Sequence, residues 1–226
     1  MPEKLPIHIA ITMNGIEFWA RKNNISLEEA NKKSLNIARN IIKSQVSLKI
    51  PIVTFYLLPS SVRKDSDQYM NLINATAEFF SSIADSELIH QNKIKISVLG
   101  KWYELPDRIV EPIKQVIEST KDYDFFFTNF CINYSGHDEI VDACRLIARQ
   151  VKAGKIDPNS ISREIIKENL YSSYFIPPDL IIKNGKAAIS GLLLWDSVNS
   201  RLHFTKRLWP DFNNTVFMDA LNRFQG

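Results

Sequence analysis

The feature that most constrains this chain is an alternation. Short apolar, β-rich runs are separated by longer stretches in which apolar residues recur every three to four positions. Runs at residues 7–13, 52–58, 94–99, 125–131, 179–182 and 192–195 read as strands. Helical patterns fall at 27–42, 68–83, 109–117, 139–151 and 215–224. Ser26 and Glu29 have the capping-box spacing, in which a hydroxyl and a carboxylate satisfy free N–H groups of a first helical turn. Gly154 stops the 139–151 helix. Strands joined through helices of this length predict βαβ units and a mainly parallel sheet covered on both faces. No repeat, linker or low-complexity segment interrupts the pattern, so residues 1–226 are read as one α/β domain.

Charge and cysteine content narrow the function classes. The 28 Lys and Arg against 25 Asp and Glu leave a net charge of only +3, too even for a dedicated nucleic-acid binder. Cys131 and Cys144 form no CxxC, and one pair cannot staple a domain of 226 residues. Reduced, buried thiols in a cytoplasmic protein are the reading. No apolar run approaches the roughly 18 residues of a membrane span, and the start Met1-Pro-Glu-Lys-Leu-Pro6 has no signal-peptide core. No Walker loop, GxGxxG, HExxH or GxSxG is present.

In an open α/β sheet, chemistry is expected where strands end and helices begin, because free N–H groups and the helix dipole favour anions there. The first such junction reads His8-Ile-Ala-Ile-Thr-Met13-Asn14-Gly15-Ile16-Glu17-Phe18-Trp19-Ala20. It resembles the opening motif of the cis-prenyltransferases, the undecaprenyl diphosphate synthase family, H-I-A-x-I-M-D-G-N-G-R-W-A. Asn133-Tyr-Ser-Gly-His-Asp-Glu-Ile-Val141 is similar to the family's N-Y-G-G-R-x-E-I-V, and Pro178-Asp-Leu-Ile-Ile-Lys-Asn-Gly185 to P-D-L-x-I-R-T-G-G. Leu193-Leu-Trp195, Phe204-Thr205 and Leu208-Trp-Pro-Asp-Phe212 resemble its C-terminal L-L-W…F-T…L-W-P-D-F. The matches are collinear along almost the whole chain. The resemblance implies a six-stranded, mostly parallel sheet flanked by helices, a hydrophobic tunnel, and a dimer interface near the C-terminal segments.

Members of that family condense isopentenyl diphosphate onto an allylic diphosphate, with a magnesium-binding Asp and Arg side chains holding two diphosphates. Read against the family motifs, this chain keeps the apolar frame and loses the charges. Asn14 stands at the catalytic Asp position, Phe18 at a phosphate-binding Arg, and Glu17 between Gly15 and Phe18 introduces a negative charge. Glu17 at a helix start suggests a carboxylate filling the anion site itself. Leu27 replaces a further Arg, Asn31 a His, and Arg201 the second metal-binding Glu. In the loop after the second strand, Val62 and Asp65 occupy functional Asn and Arg positions, beside Arg63 and Lys64. In the isopentenyl diphosphate grip, Lys183 and Ala188 replace two Arg, near Lys186, and Ser190 is kept. Each lost Arg removes charge-assisted bonds of roughly 1.5–3 kcal/mol.

The degenerate catalytic set is therefore Asn14, Glu17 and Asn31. The substrate-binding set is Gly15, Phe18, Arg63, Lys64, Lys183, Lys186 and Ser190, with no metal ligand of its own. Lys and Arg side chains converging on a replacement anion site are weighed against scattered solvated charges, and the latter is preferred because Lys binds phosphate as a loose point charge. His8 reads as a structural strand-start residue and His137 as a helix-start neighbour. Trp19, Trp195, Phe79, Phe80 and residues 125–127 read as core, although the family's tunnel is lined with such rings. The leading expectation is a non-catalytic subunit of a heteromeric polyprenyl diphosphate synthase, paired with a catalytic paralogue or with itself as a dimer. The alternative is a redirected prenyl diphosphate enzyme performing irregular coupling, cyclisation or transfer to another acceptor. Mg2+ enters only if the chain is active or a catalytic partner supplies the site. A prenyl diphosphate ligand and membrane contact through the lipid product are the remaining partner expectations; nucleic acid is excluded.

Overall fold

The computed structural model describes residues 4 to 224. Strands β1 (His8–Thr12), β2 (Ile52–Pro59), β3 (Ile94–Leu99), β4 (Phe126–Tyr134), β5 (Leu180–Asn184) and β6 (Arg201–Thr205) form one sheet. Their order is β3-β4-β2-β1-β5-β6, and every pairing is parallel. The helices are α1 (Ile16–Asn23), α2 (Leu27–Leu48), α3 (Asp67–Ala84), α4 (Glu87–Gln91), α5 (Asp107–Thr120), α6 (Gly136–Lys152), α7 (Arg163–Glu168) and α8 (Asn214–Arg223). The α2 helix starts as its sequence predicts: the Ser26 hydroxyl accepts from the Glu29 N–H at 3.1 Å.

One sheet face carries the main core. Ile9, Ile11, Val53, Phe55, Phe130 and Ile182 meet the apolar stripes of α2, α3, α5 and α8. Phe55 and Phe130 stack at 5.4 Å, and Phe79 and Phe80 of α3 pack edge-on against Phe130 at 5.6 and 5.2 Å. Phe79 and Phe80 are close-packed core, as their sequence reading expected, 4% and 0% exposed. Above them, a solvent-open groove of about 250 Å3 runs between α2 and α3, crossed by Arg39 over the Phe79 ring and onto the Ser82 hydroxyl. The opposite face carries a smaller cluster around Ala10, Cys131, Tyr134, Ile181 and Leu192.

Three sequence expectations need correction. Cys131 is buried as expected, but Cys144 is exposed on α6. Residues 192–195 are a turn, and the sixth strand is Arg201–Thr205. Leu192 and Leu193 are apolar because the turn is buried, 1% exposed each, and not because it extends. Arg-Leu-His-Phe-Thr escaped notice because β6 is an edge strand whose residues are all at least partly exposed, so no apolar run forms. Within residues 125–127, Phe125 is 67% exposed rather than core, with the Lys93 ammonium 5.7 Å above its ring.

Candidate functional site

The strand-end site is built at the C-terminal ends of β1 and β5, where chain entry into α1 turns on Gly15. Gly15 has φ +87°, and a Cβ there would lie 2.5 Å from Leu208 Cδ2, so backbone conformation and space both demand glycine. No side chain caps α1, which leaves its first-turn N–H groups directed at the junction.

Asn14 is committed to local bonds. Its backbone N–H donates to Asn184 Oδ1 at 3.0 Å. Its side-chain Nδ2 donates to Thr12 Oγ1 and to the Asn184 carbonyl, each at 3.2 Å. Thr12 Oγ1 donates to Asn184 Oδ1 at 3.0 Å and accepts from the Asn184 N–H at 3.2 Å. The Trp209 N–H then donates to the Asn14 carbonyl at 2.9 Å, tying in the Leu208-Trp209 segment. Neutral amides and a hydroxyl thus sew β1, β5 and the C-terminal turn together. Asn31, buried on α2, and Asn184 each retain a side-chain Nδ2 with no partner among the described residues. An orphan buried donor costs about 1–3 kcal/mol, so neither is a neutral feature of the fold.

The structure separates the other candidates. Glu17 does not fill the anion site: it pairs with Arg21 one turn along α1 at 2.9 Å, and both side chains face solvent. Phe18 is 61% exposed. Arg63 is tied to Asp65 at 2.9 Å on an exposed loop, with Lys64 exposed beside it. Lys186 is exposed in the turn after β5. Lys183 and Ser190 do come together, in a pocket of about 60 Å3 with Ile181, Leu202 and Phe204. Strand alternation puts that pocket on the other side of β5 from Asn184. Desolvation in this apolar pocket holds the Lys183 ammonium below its ordinary pKa. Arg201 opens β6 in register with Leu180, at the end of the sheet remote from Asn14, and donates to the Phe224 carbonyl.

His8 is structural. Its Nδ1–H donates to the Ile176 carbonyl at 2.6 Å, which leaves Nε2 to accept from the Thr54 hydroxyl at 2.8 Å. Burial pushes its pKa down to about 4. His137 is exposed at the start of α6. Trp19 is buried, with Nε1 donating to Asp211 at 2.8 Å and the Lys33 ammonium over its ring, whereas Trp195 is half-buried. Sequence reasoning missed Thr12 and Asn184; the readable signal was the Asn184 position inside the Pro178–Gly185 motif.

The undecaprenyl diphosphate synthase family model matches residues 12–226. The chain belongs to this family of cis-prenyltransferases. Similar proteins include the geranylgeranyl-diphosphate-specific tritrans,polycis-undecaprenyl-diphosphate synthases of Methanopyrus kandleri and Methanocaldococcus jannaschii. The first is 30% identical over 98% of this chain and 83% of its own length; the second is 33% identical over 99% and 81%. The isoprenyl transferase of Streptococcus pneumoniae is 30% identical over 98% of this chain and 89% of its own. Among solved structures, lavandulyl diphosphate synthase from Lavandula x intermedia, in complex with dimethylallyl diphosphate, superposes with a TM-score of 0.92. It is 25% identical and covers 98% of this chain and 95% of its own. The expected six-stranded parallel cis-prenyltransferase fold is thus the fold of this chain. No helix among the described residues is long and apolar enough to cross a membrane.

Against the magnesium the family uses, the residues at the strand end do not fit. Mg2+ takes near-octahedral oxygen ligands, ordinarily with one or two carboxylates. Here Asn14 offers a single neutral amide oxygen, Thr12 Oγ1 is already engaged, and Glu17 is turned to Arg21. No group of three His, Cys, Asp or Glu side chains converges among the described residues.

Proposed function

We propose that this cis-prenyltransferase homologue serves polyprenyl diphosphate metabolism as a non-catalytic subunit, paired with a catalytic member of its own family. The observation that carries the reading is the strand-end network. Where the family motif has a metal-binding Asp, Asn14 donates both its backbone and side-chain N–H groups into Thr12 and Asn184. Transfer of a diphosphate leaving group needs positive charge or metal at the developing anion. This junction supplies amide dipoles and a helix N-terminus, which can hold an anion but do not replace a carboxylate-bound metal and several Arg forks. The apolar frame, by contrast, is intact, as a subunit that must fold like its partner requires. The lavandulyl diphosphate synthase likeness favours a second reading, a redirected enzyme acting on allylic diphosphates, with Lys183 in its small pocket as the diphosphate contact.

The test is a product assay by mass spectrometry with Mg2+, farnesyl or geranyl diphosphate and isopentenyl diphosphate. The purified chain is assayed alone, with each allylic substrate separately, and mixed with an intact family member from the same genome. The expected result is no turnover alone and increased elongation by the mixture. Diphosphate release by the chain alone, abolished in Lys183→Ala, would overturn the subunit reading in favour of the redirected enzyme.

A further inference from the structure

A second buried polar network lies away from the strand end. Glu139, at the start of α6, is 1% exposed, and burial raises its pKa. It accepts from the Tyr134 hydroxyl and from the Ser172 N–H at 3.1 Å. Asp196, 6% exposed, accepts from the Ser172 hydroxyl at 2.7 Å and pairs with Lys167 at 2.6 Å. Lys167 also donates to the Ser172 carbonyl at 2.8 Å. One residue earlier, the Tyr171 hydroxyl donates to Asp142, which pairs with Lys101 at 2.9 Å. Four residues later, His8 clamps the Ile176 carbonyl.

The Glu139, Asp142, Lys167, Asp196 and His8 side chains all bond to residues 171–176, a segment that is neither helix nor strand. Desolvating two carboxylates and an ammonium is costly unless every bond is made, and here the bonds immobilise a loop. The loop in turn presents aromatic rings. Tyr174 is 91% exposed, and Phe175 packs against Phe127 of β4 at 6.2 Å. With Tyr171 and the β3 edge they wall a half-open cleft of about 550 Å3, within the range of small-molecule sites. Lys95 and Lys121 line the same cleft, and its lining contains no carboxylate. Lys121 is paired with Glu118, but half-buried Lys95 has no ion-pair partner among the described residues. An aromatic wall beside an uncompensated ammonium is complementary to an apolar anion. The cleft lies at the β3 edge, three strands from β1 and its Asn14 junction.

We infer that this cleft is a binding site for a small amphiphile, whose flat or unsaturated body lies against Phe127, Tyr174 and Phe175 and whose single anionic head meets Lys95. The site is independent of the strand-end junction and of whether the chain turns over a diphosphate.

The probe is 8-anilinonaphthalene-1-sulfonate, an aromatic monoanion, titrated into the full chain and followed by fluorescence. One saturable site is expected. Lys95→Glu should weaken it at least about tenfold and Tyr174→Ala about threefold, with unchanged circular dichroism, as expected for a lost charge pair and a lost ring contact. Val198→Ala, at an exposed apolar position elsewhere, should leave it unchanged. Equal affinity in Lys95→Glu and the parent chain would overturn the proposal. So would conversion of a dimer to a monomer in Tyr174→Asp by sedimentation, which would assign the rings to a contact between copies.

Discussion

Two polar networks in this molecule do opposite things with charge. At the strand end, Thr12, Asn14 and Asn184 form a neutral lattice, and the nearest carboxylate in sequence, Glu17, is turned into solvent. Beneath residues 171–176, two buried carboxylates and a half-buried ammonium are bonded to one short loop. The family resemblance would put the charged chemistry at the first place, but the structure concentrates buried charge at the second. The difference shows that neutral hydrogen bonds hold the strand-end junction together, whereas carboxylates secure a surface loop. Electrostatic investment now holds a surface loop in one conformation.

Disrupting the charged network should have the largest effect. Asp196→Ala would strand Lys167 and Ser172, and chemical denaturation should show a loss of about 3–5 kcal/mol, typical of a buried pair deprived of one partner. A loss below about 1 kcal/mol would mean the network is not tightening the loop. The same region carries a pH signature. His8 titrates at about 4 in the folded chain against the ordinary 6.5, so the unfolded chain takes up the proton first as pH falls. The stability associated with neutral His8 is complete above about pH 6.5 and is lost on descent to about pH 4, by at most roughly 3 kcal/mol. Glu139, raised by burial, contributes with the opposite slope: its share is complete below the usual carboxylate range and shrinks as pH rises. Denaturant midpoints of the parent and His8→Gln, compared across pH 4–7, should converge at the acid end. Parallel curves would contradict the assignment.

The neutral network should respond more weakly. Asn14→Ala removes two side-chain hydrogen bonds and should cost about 1–2 kcal/mol in thermal or urea unfolding. Asn14→Asp should cost at least as much, because a carboxylate then faces the Asn184 carbonyl, and under the subunit reading it should not confer turnover. A gain of elongation activity in Asn14→Asp would show that the rest of the site is still competent. Glu17→Gln is the smallest change, a few tenths of a kcal/mol for an exposed pair one helical turn apart. A shift of several degrees in melting temperature would mean that Glu17 has a role beyond Arg21.

The sequence was legible where burial and periodicity coincide. β1 to β5 are apolar because both faces of a parallel sheet are covered, and the Ser26 cap is a local signal. β6 was not legible, since an edge strand with exposed Arg201 and Phe204 has no apolar run. The turn at Leu192–Leu193 imitated a strand for the converse reason: it is buried, and Gly136 has no room for a Cβ between the Gly191 carbonyl at 2.4 Å and Leu194 Cβ at 2.5 Å. Asn14 and Gly15 could be found from one junction motif, and Asn31 from a family His position further along. The charged network could not, because Glu139, Lys167, Ser172 and Asp196 come from four separated segments and meet only through the fold. Glu17 misled because a carboxylate at a helix N-terminus is equally at home pairing with a cation one turn on.

The subunit reading stands or falls on whether the strand-end junction holds a catalytic metal. Electron paramagnetic resonance of Mn2+, in place of Mg2+, in the presence of farnesyl diphosphate tests it directly. The same free and diphosphate-bound Mn2+ populations are expected with and without the protein. A protein-dependent bound species that disappears in Asn14→Ala would contradict it.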